Sequence, residues 1–137
     1  MANMSPEAAL QSEPVRFVEL VFPDQANHYG TLFGGNALSL MGKAAFVAAT
    51  RHARCAVVMA STDHVQFETP VQVGELAELT SWVSRIGRSS MTVNVEVTAE
   101  TLVTGQRRRA MHGSFEMIAV DDSGRPRGVH LFSPRDV

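Results

Sequence analysis

Asn27, His28 and Tyr29 share one short polar loop, and Gly34 and Gly35 follow it at the start of an apolar, alanine-rich run with helical spacing. A glycine pair leading into a helix is how a backbone anion site is built, because the first N–H groups of a helix lack partners within it. The same residues also have an ordinary reading: the asparagine as a turn former and the glycines as a tight turn or a close helix contact. Seven residues beyond Gly35 stands Gly42, in the helix interior, where glycine costs about 1 kcal/mol relative to alanine. That position needs a local reason, such as space for a ligand, close packing or loss of a function. No Asp or Glu occurs between Asp24 and Asp63, so the acids within reach by sequence are Asp24, Asp63 and Glu68.

The elements that must hold these residues follow from the periodicity. "VRFVELVF" (15–22) alternates as a strand, and "PDQANHYG" breaks it with Pro23, Asp24, Asn27 and Gly30. From Asn36 to about His52, Leu38, Met41, Ala45, Ala48 and Ala49 recur at helical spacing, with Asn36 as the expected N-cap. Four strands follow, over 55–67, 74–87, 89–100 and 105–121, with short turns at Gly87-Arg88 and Thr104-Gly105. In "MTVNVEV" the residues Met91, Val93, Val95 and Val97 face one way and Asn94 and Glu96 the other, so one face of the sheet is buried. The helix is long enough to cover that face.

Length and composition bound the rest. The 137 residues suit one domain, read as a polar N-terminal arm (1–14), a folded body (15–121) and an irregular C-terminal tail (122–137). With 45% hydrophobic residues, 19% charged residues and a net charge of −2, the chain is neither disordered nor a nucleic-acid binder. Cys55 is the single cysteine, which leaves no disulfide or thiolate cluster within one chain and fits a reducing cytoplasm. No run suggests a signal peptide or a membrane span, and no metal site is expected.

"NHYGTLFGG" before a small-residue helix, "STDHVQFETPV", "GRSSMTVNVEV" and "AVDDSGRPR" occur in an order that resembles the acyl-CoA thioesterase branch of the hotdog-fold superfamily, over about residues 16–129. The resemblance implies an α+β hotdog fold, an antiparallel sheet of five or more strands wrapped around one long central helix. It also implies a homo-oligomer of dimers, often a trimer of dimers, that hydrolyses acyl-CoA between subunits, with coenzyme A present only as part of substrate and product and no separate cofactor.

Carried over by position, the resemblance makes the Gly34 and Gly35 amides the donors to the thioester oxyanion and Asn27 the residue orienting water or carbonyl, with His28 and Tyr29 beside it as hydrogen-bond donors. The hairpin Gly87, Arg88, Ser89 and Ser90 resembles the segment that contacts the nucleotide phosphates, with Arg108 a weaker candidate. The family's general base or nucleophile is an Asp or Glu fifteen residues after the asparagine, and here that position is Gly42. Asp63 is a substitute acid, although strand-end pairing with His64 or an arginine is the commoner use of such a residue. Gly35 and Gly42 stand about 10 Å apart along a helix, so one carbonyl cannot use both from one chain and each site needs two subunits. Two function classes follow: an acyl-CoA thioesterase with impaired activity, or a hotdog protein that binds acyl-CoA or CoA without turnover, alone or as partner of an intact paralogue.

Overall fold

The computed structural model describes residues 13–129; most of the expected N-terminal arm and the end of the tail lie outside them. The element order is strand β1 (Val15–Leu20), a 3₁₀ turn (Pro23–Gln25), helix α1 (Gly34–Ala53), then β2 (Val57–Phe67), β3 (Leu76–Ile86), β4 (Ser90–Thr101) and β5 (Gln106–Ala119). The five strands form one antiparallel sheet in the order β1-β3-β4-β5-β2. Both strands flanking the helix in sequence are therefore sheet edges, and the helix packs against all five strands.

Small residues make this wrapping possible. The 20-residue helix, about 30 Å long, buries Ala37, Ala44, Ala45, Ala48, Ala49 and Ala53 with only Met41 and His52 as larger buried side chains, so most of its buried face lets the backbone lie close to the sheet. From the sheet side the facing residues are Leu79, Val83, Met91, Val93, Val95, Val97, Phe115 and Met117, all nearly inaccessible. Buried Ser81 satisfies its hydroxyl by donating to the Ala44 carbonyl at 2.9 Å, a direct tie between sheet and helix backbone. Asn94 and Glu96 point to the opposite face, as the alternation requires.

Two boundaries differ from the sequence reading. The helix starts two residues earlier than expected: Phe33 is the N-cap, without a side-chain capping bond. Asn36 instead sits in the first turn and donates its side-chain amide to the Gln25 carbonyl at 3.0 Å. The β4–β5 connection is also longer than Thr104-Gly105, because Leu102 to Gly105 form one turn closed by Gly105 N–H to Thr101 O at 2.7 Å, with Gly105 at φ +76°.

Candidate active site

The loop before the helix is a small, fully bonded knot. Asn27 N–H donates to Thr31 O at 2.8 Å, Gly30 N–H to Asn27 O at 3.0 Å, and Phe33 N–H to Gln25 O at 2.9 Å. The Asn27 side-chain oxygen accepts from Tyr29 N–H at 2.9 Å and from the Thr31 N–H and hydroxyl at 3.2 Å each. The turn-former reading of Asn27 is met by its oxygen, while its NH₂ donates to no side chain or backbone group described. Gln25 O accepts from both Phe33 and Asn36, which fixes this loop to the first turn of the helix.

At that first turn the amides of Gly34 and Gly35 have no side-chain cap. A Cβ on Gly34 would meet nothing within 4 Å, and one on Gly35 would meet only the exposed Phe33 ring, at 2.9 Å. Neither glycine is demanded by core packing. Their amides stand at the positive end of the helix dipole without a side-chain cap, an arrangement that can take an anion or a developing oxyanion. His28 and Tyr29 stack on each other at 4.0 Å between ring centroids and are exposed at the mouth of the loop.

A clasp behind the loop holds it in place. Glu75 is buried and accepts from Arg108 at 2.7 and 3.1 Å, from the Thr101 hydroxyl at 2.6 Å and from Gln72 N–H at 2.9 Å. The Arg108 guanidinium beside it, then the Thr101 and Gln72 bonds, hold its carboxyl down at about 2 against the opposing effect of burial. Arg108 also donates to Pro70 O at 2.6 Å, so its guanidinium is committed to this clasp and is not free for a phosphate. The clasped segment reaches the site directly: Leu32 N–H bonds Val71 O at 2.8 Å and Val73 N–H bonds Gly30 O at 3.0 Å.

The acids are elsewhere. Asp63 pairs in register with Ser114, on the sheet face opposite the helix, and its carboxylate meets the exposed His64 at 3.2 Å. That geometry removes Asp63 as a substitute acid for the helix site in its own chain. Asp24 is exposed on the 3₁₀ turn. Around Gly42 the neighbour is instead a thioether: a Cβ there would stand 3.1 Å from the Met59 methyl. Met59 was invisible to sequence reasoning, since its apolar type on a strand signals only core.

The β3–β4 hairpin is tight. Gly87 N–H bonds Ser90 O at 2.8 Å, and a Cβ on Gly87 would lie 2.6 Å from the Ser90 hydroxyl, which would have to rotate away. Residues Arg88 and Ser89 form the tip and carry the tail: Val129 N–H bonds Arg88 O at 2.9 Å and Ala119 N–H bonds Ser89 O at 2.8 Å. The tail thereby brings Arg125 and Arg127 to the same end of the sheet, residues the sequence reading had not singled out. By contrast, Arg107 pairs with Glu78 and Glu100, and Arg109 with Glu68 and Glu96. A hollow of about 290 Å³ on the outer face, lined by His64, Trp82, Asn94 and His112 among others, is separated from the helix start by the sheet. Trp82 belongs to that outer face, while Met41 and Met91 are core.

A helix clasped by an antiparallel sheet, with uncapped glycine amides at its start, defines a hotdog-fold domain. The thioesterase superfamily profile matches residues 29–106, and the chain belongs to that superfamily. It is 40% identical over 114 residues to an uncharacterized acyl-CoA thioester hydrolase of Bacillus subtilis, covering 83% of this chain and 66% of that one. Among solved structures, a hexameric acyl-CoA thioesterase is 40% identical with a TM-score of 0.84, over 88% of this chain and 78% of that one. An acyl-CoA hydrolase of Staphylococcus aureus, solved with butyryl coenzyme A and coenzyme A, is 32% identical with a TM-score of 0.82, over 86% and 72%. Alanine variants of that hydrolase replace an asparagine, an aspartate fifteen residues on and a threonine thirty-two residues on.

Proposed function

We propose that this protein is an acyl-CoA thioester hydrolase: water adds to the thioester carbonyl, the C–S bond breaks, and a free fatty acid and the coenzyme A thiol leave. The observation that carries the reading is a helix start at Gly34 and Gly35 without a side-chain cap, following a loop in which the Asn27 NH₂ bonds no described group, donors of the kind that stabilise charge developing on a carbonyl oxygen. The Bacillus subtilis relative and the two solved structures, named as acyl-CoA hydrolases or thioesterases, favour turnover over binding alone. Counting fifteen and thirty-two residues from Asn27 gives Gly42 and Met59. The chain therefore keeps the asparagine and departs at the acid and the threonine, which makes slow hydrolysis the expected behaviour.

The working unit is a homodimer, assembled further into a trimer of dimers. β2 is a sheet edge with an unpaired side, and apolar Leu38, Phe46, Val58, Met59 and Phe67 are exposed along it and on the adjoining helix face, a surface that a second copy covers. Pairing across that edge places the helix start of one protomer against the other chain. Coenzyme A enters as part of the substrate, with no separate cofactor, and its phosphates are read by Arg88, Ser89 and Ser90 together with Arg125 and Arg127. The compartment is the cytoplasm; no helix among the described residues is long and apolar enough to cross a membrane.

The test is thiol release from short-, medium- and long-chain acyl-CoAs, paired with calorimetric binding. Release above the blank that Asn27→Ala abolishes supports the reading. Neither release nor binding with any member of the panel sinks it.

A further inference from the structure

The seam between α1 and the free edge of β2 brings together the two positions at which the chain departs from its relative, Gly42 and Met59. Gly42 is the one glycine in the interior of α1, and a Cβ there would stand 3.1 Å from the Met59 methyl. Met59 pairs with Met117 across the β2–β5 ladder, and Met117 is core, so Met59 faces the helix rather than the outer surface. The strand is irregular immediately afterwards, between Met59 and Ser61, a break in the ladder of the kind that re-aims a side chain. In the single chain Met59 is 45% exposed, as are Phe46 at 47% and Leu38 at 39%, one turn to either side of Gly42. The corner is therefore open toward the seam and apolar throughout.

We propose that Met59 and Gly42 act as one unit that closes the acid position of the thioester site: the Met59 thioether tail occupies the direction a side chain at position 42 would take. The inference rests on the hydrolase reading. A thioether neither gives up nor accepts a proton at these pH values and is only a weak acceptor, so the corner cannot hold and activate water as a carboxylate with a neighbouring hydroxyl can. Two consequences follow. Hydrolysis by the parent depends on the amide donors and Asn27 without a titrating base. An acid restored at position 42 alone meets the Met59 methyl, which must move, and it then lies against apolar surface that disfavours its charged form.

The experiment is a four-protein comparison of the full chain: parent, Gly42→Asp, Met59→Thr and Gly42→Asp/Met59→Thr, assayed for butyryl-CoA thiol release from pH 4 to 8. A carboxylate general base contributes about a hundredfold to ten-thousandfold. The expectation is a gain in kcat below about tenfold for Gly42→Asp, little change for Met59→Thr, and about a hundredfold or more for the pair, a non-additivity that marks direct coupling. The double variant should lose kcat on acidification through the carboxylate range, whereas the parent shows no such limb. Met59→Leu in place of Met59→Thr should leave the gain suppressed, because it restores apolar bulk. Gly42→Asp alone reaching the rate of the pair overturns the role of Met59. So does a double variant that binds butyryl-CoA as the parent does by calorimetry, melts within a few degrees of it, and still hydrolyses no faster. Loss of binding in the parent itself would instead remove the hydrolase reading, and this inference with it.

Discussion

The Glu75–Arg108 clasp lies behind the candidate site, and replacing Arg108 with methionine isolates it. Glu75 is buried with its carboxyl held at about 2, against an ordinary value of 4.5. At about 1.36 kcal/mol per pH unit, that difference corresponds to about 3 kcal/mol of stability at neutral pH. An independent route gives a similar figure, since removing one partner of a buried pair costs about 3–5 kcal/mol, here moderated by the Thr101 and Gln72 bonds that remain. Because the carboxyl is depressed in the folded state, its contribution is present above about pH 4.5 and is lost as the pH falls toward 2. Arg108→Met should therefore be destabilised by about 3 kcal/mol at pH 7, measured by urea unfolding at fixed protomer concentration. The gap to the parent should close between pH 4.5 and 2, where other carboxylates affect both proteins alike. A gap below about 0.5 kcal/mol at pH 7, the range of an ordinary surface substitution, or one that persists unchanged to pH 2, would refute the assignment.

Three further outcomes are expected. Gly113→Ala places a Cβ 2.8 Å from a Val65 methyl and 3.1 Å from Val65 Cα; backbone cannot yield as a flexible side chain can, so a loss of about 1–3 kcal/mol by thermal or urea unfolding is expected, and a neutral result would contradict the β2–β5 packing. Replacing Arg88, Arg125 and Arg127 together with serine should raise KM for acyl-CoA while leaving kcat within about twofold, and flatten the dependence of KM on salt, because phosphate contacts made equally in ground and transition states act as uniform binding; an unchanged KM would remove the tail from the coenzyme site. Phe46→Asp introduces a charge into the apolar surface beside β2 and should shift the oligomer to smaller species by light scattering; unchanged assembly would place the subunit contact elsewhere.

The sheet and helix were legible because their burial is periodic. The alternation of Met91, Val93, Val95 and Val97 predicted which face meets the helix, and the alanines of α1 marked the face it presents. The helix start was less legible, since Asn36 has the type of an N-cap but uses its amide to fasten Gln25, a partner eleven residues away in sequence. Asp63 was a substitute acid in sequence with strand-end pairing as the commoner reading, and the structure pairs it with His64 on the face opposite the helix, because its register position opposite Ser114 depends on an irregular β2 ladder. The motif loop was legible from residue types alone, whereas the Glu75–Arg108 clasp that supports it was not, because no local pattern links residues so far apart. The contact between Met59 and Gly42 was hidden for the same reason: Gly42 stood out alone but Met59 did not, and only the tertiary fold shows that one reaches toward the space left by the other.

The relative sizes of the contributions decide what a site without its acid can still do. One preorganised oxyanion donor is worth about a hundredfold to a thousandfold, comparable to the about hundredfold to ten-thousandfold of a general base, and the two act on different atoms of the same step. On the proposed reading, glycine where the base would stand leaves the donor contribution of Gly34 and Gly35 intact, just as sites stripped of their triad retain a residual rate from oxyanion stabilisation and binding. If the protein assembles from identical chains, the loss is repeated at every site and no subunit can compensate for another. Selectivity for acyl-CoA should then persist in KM while kcat falls. A protein that had lost the site altogether would show neither, so the separation of KM from kcat distinguishes a hydrolase lacking its base from a hotdog scaffold that no longer recognises the substrate.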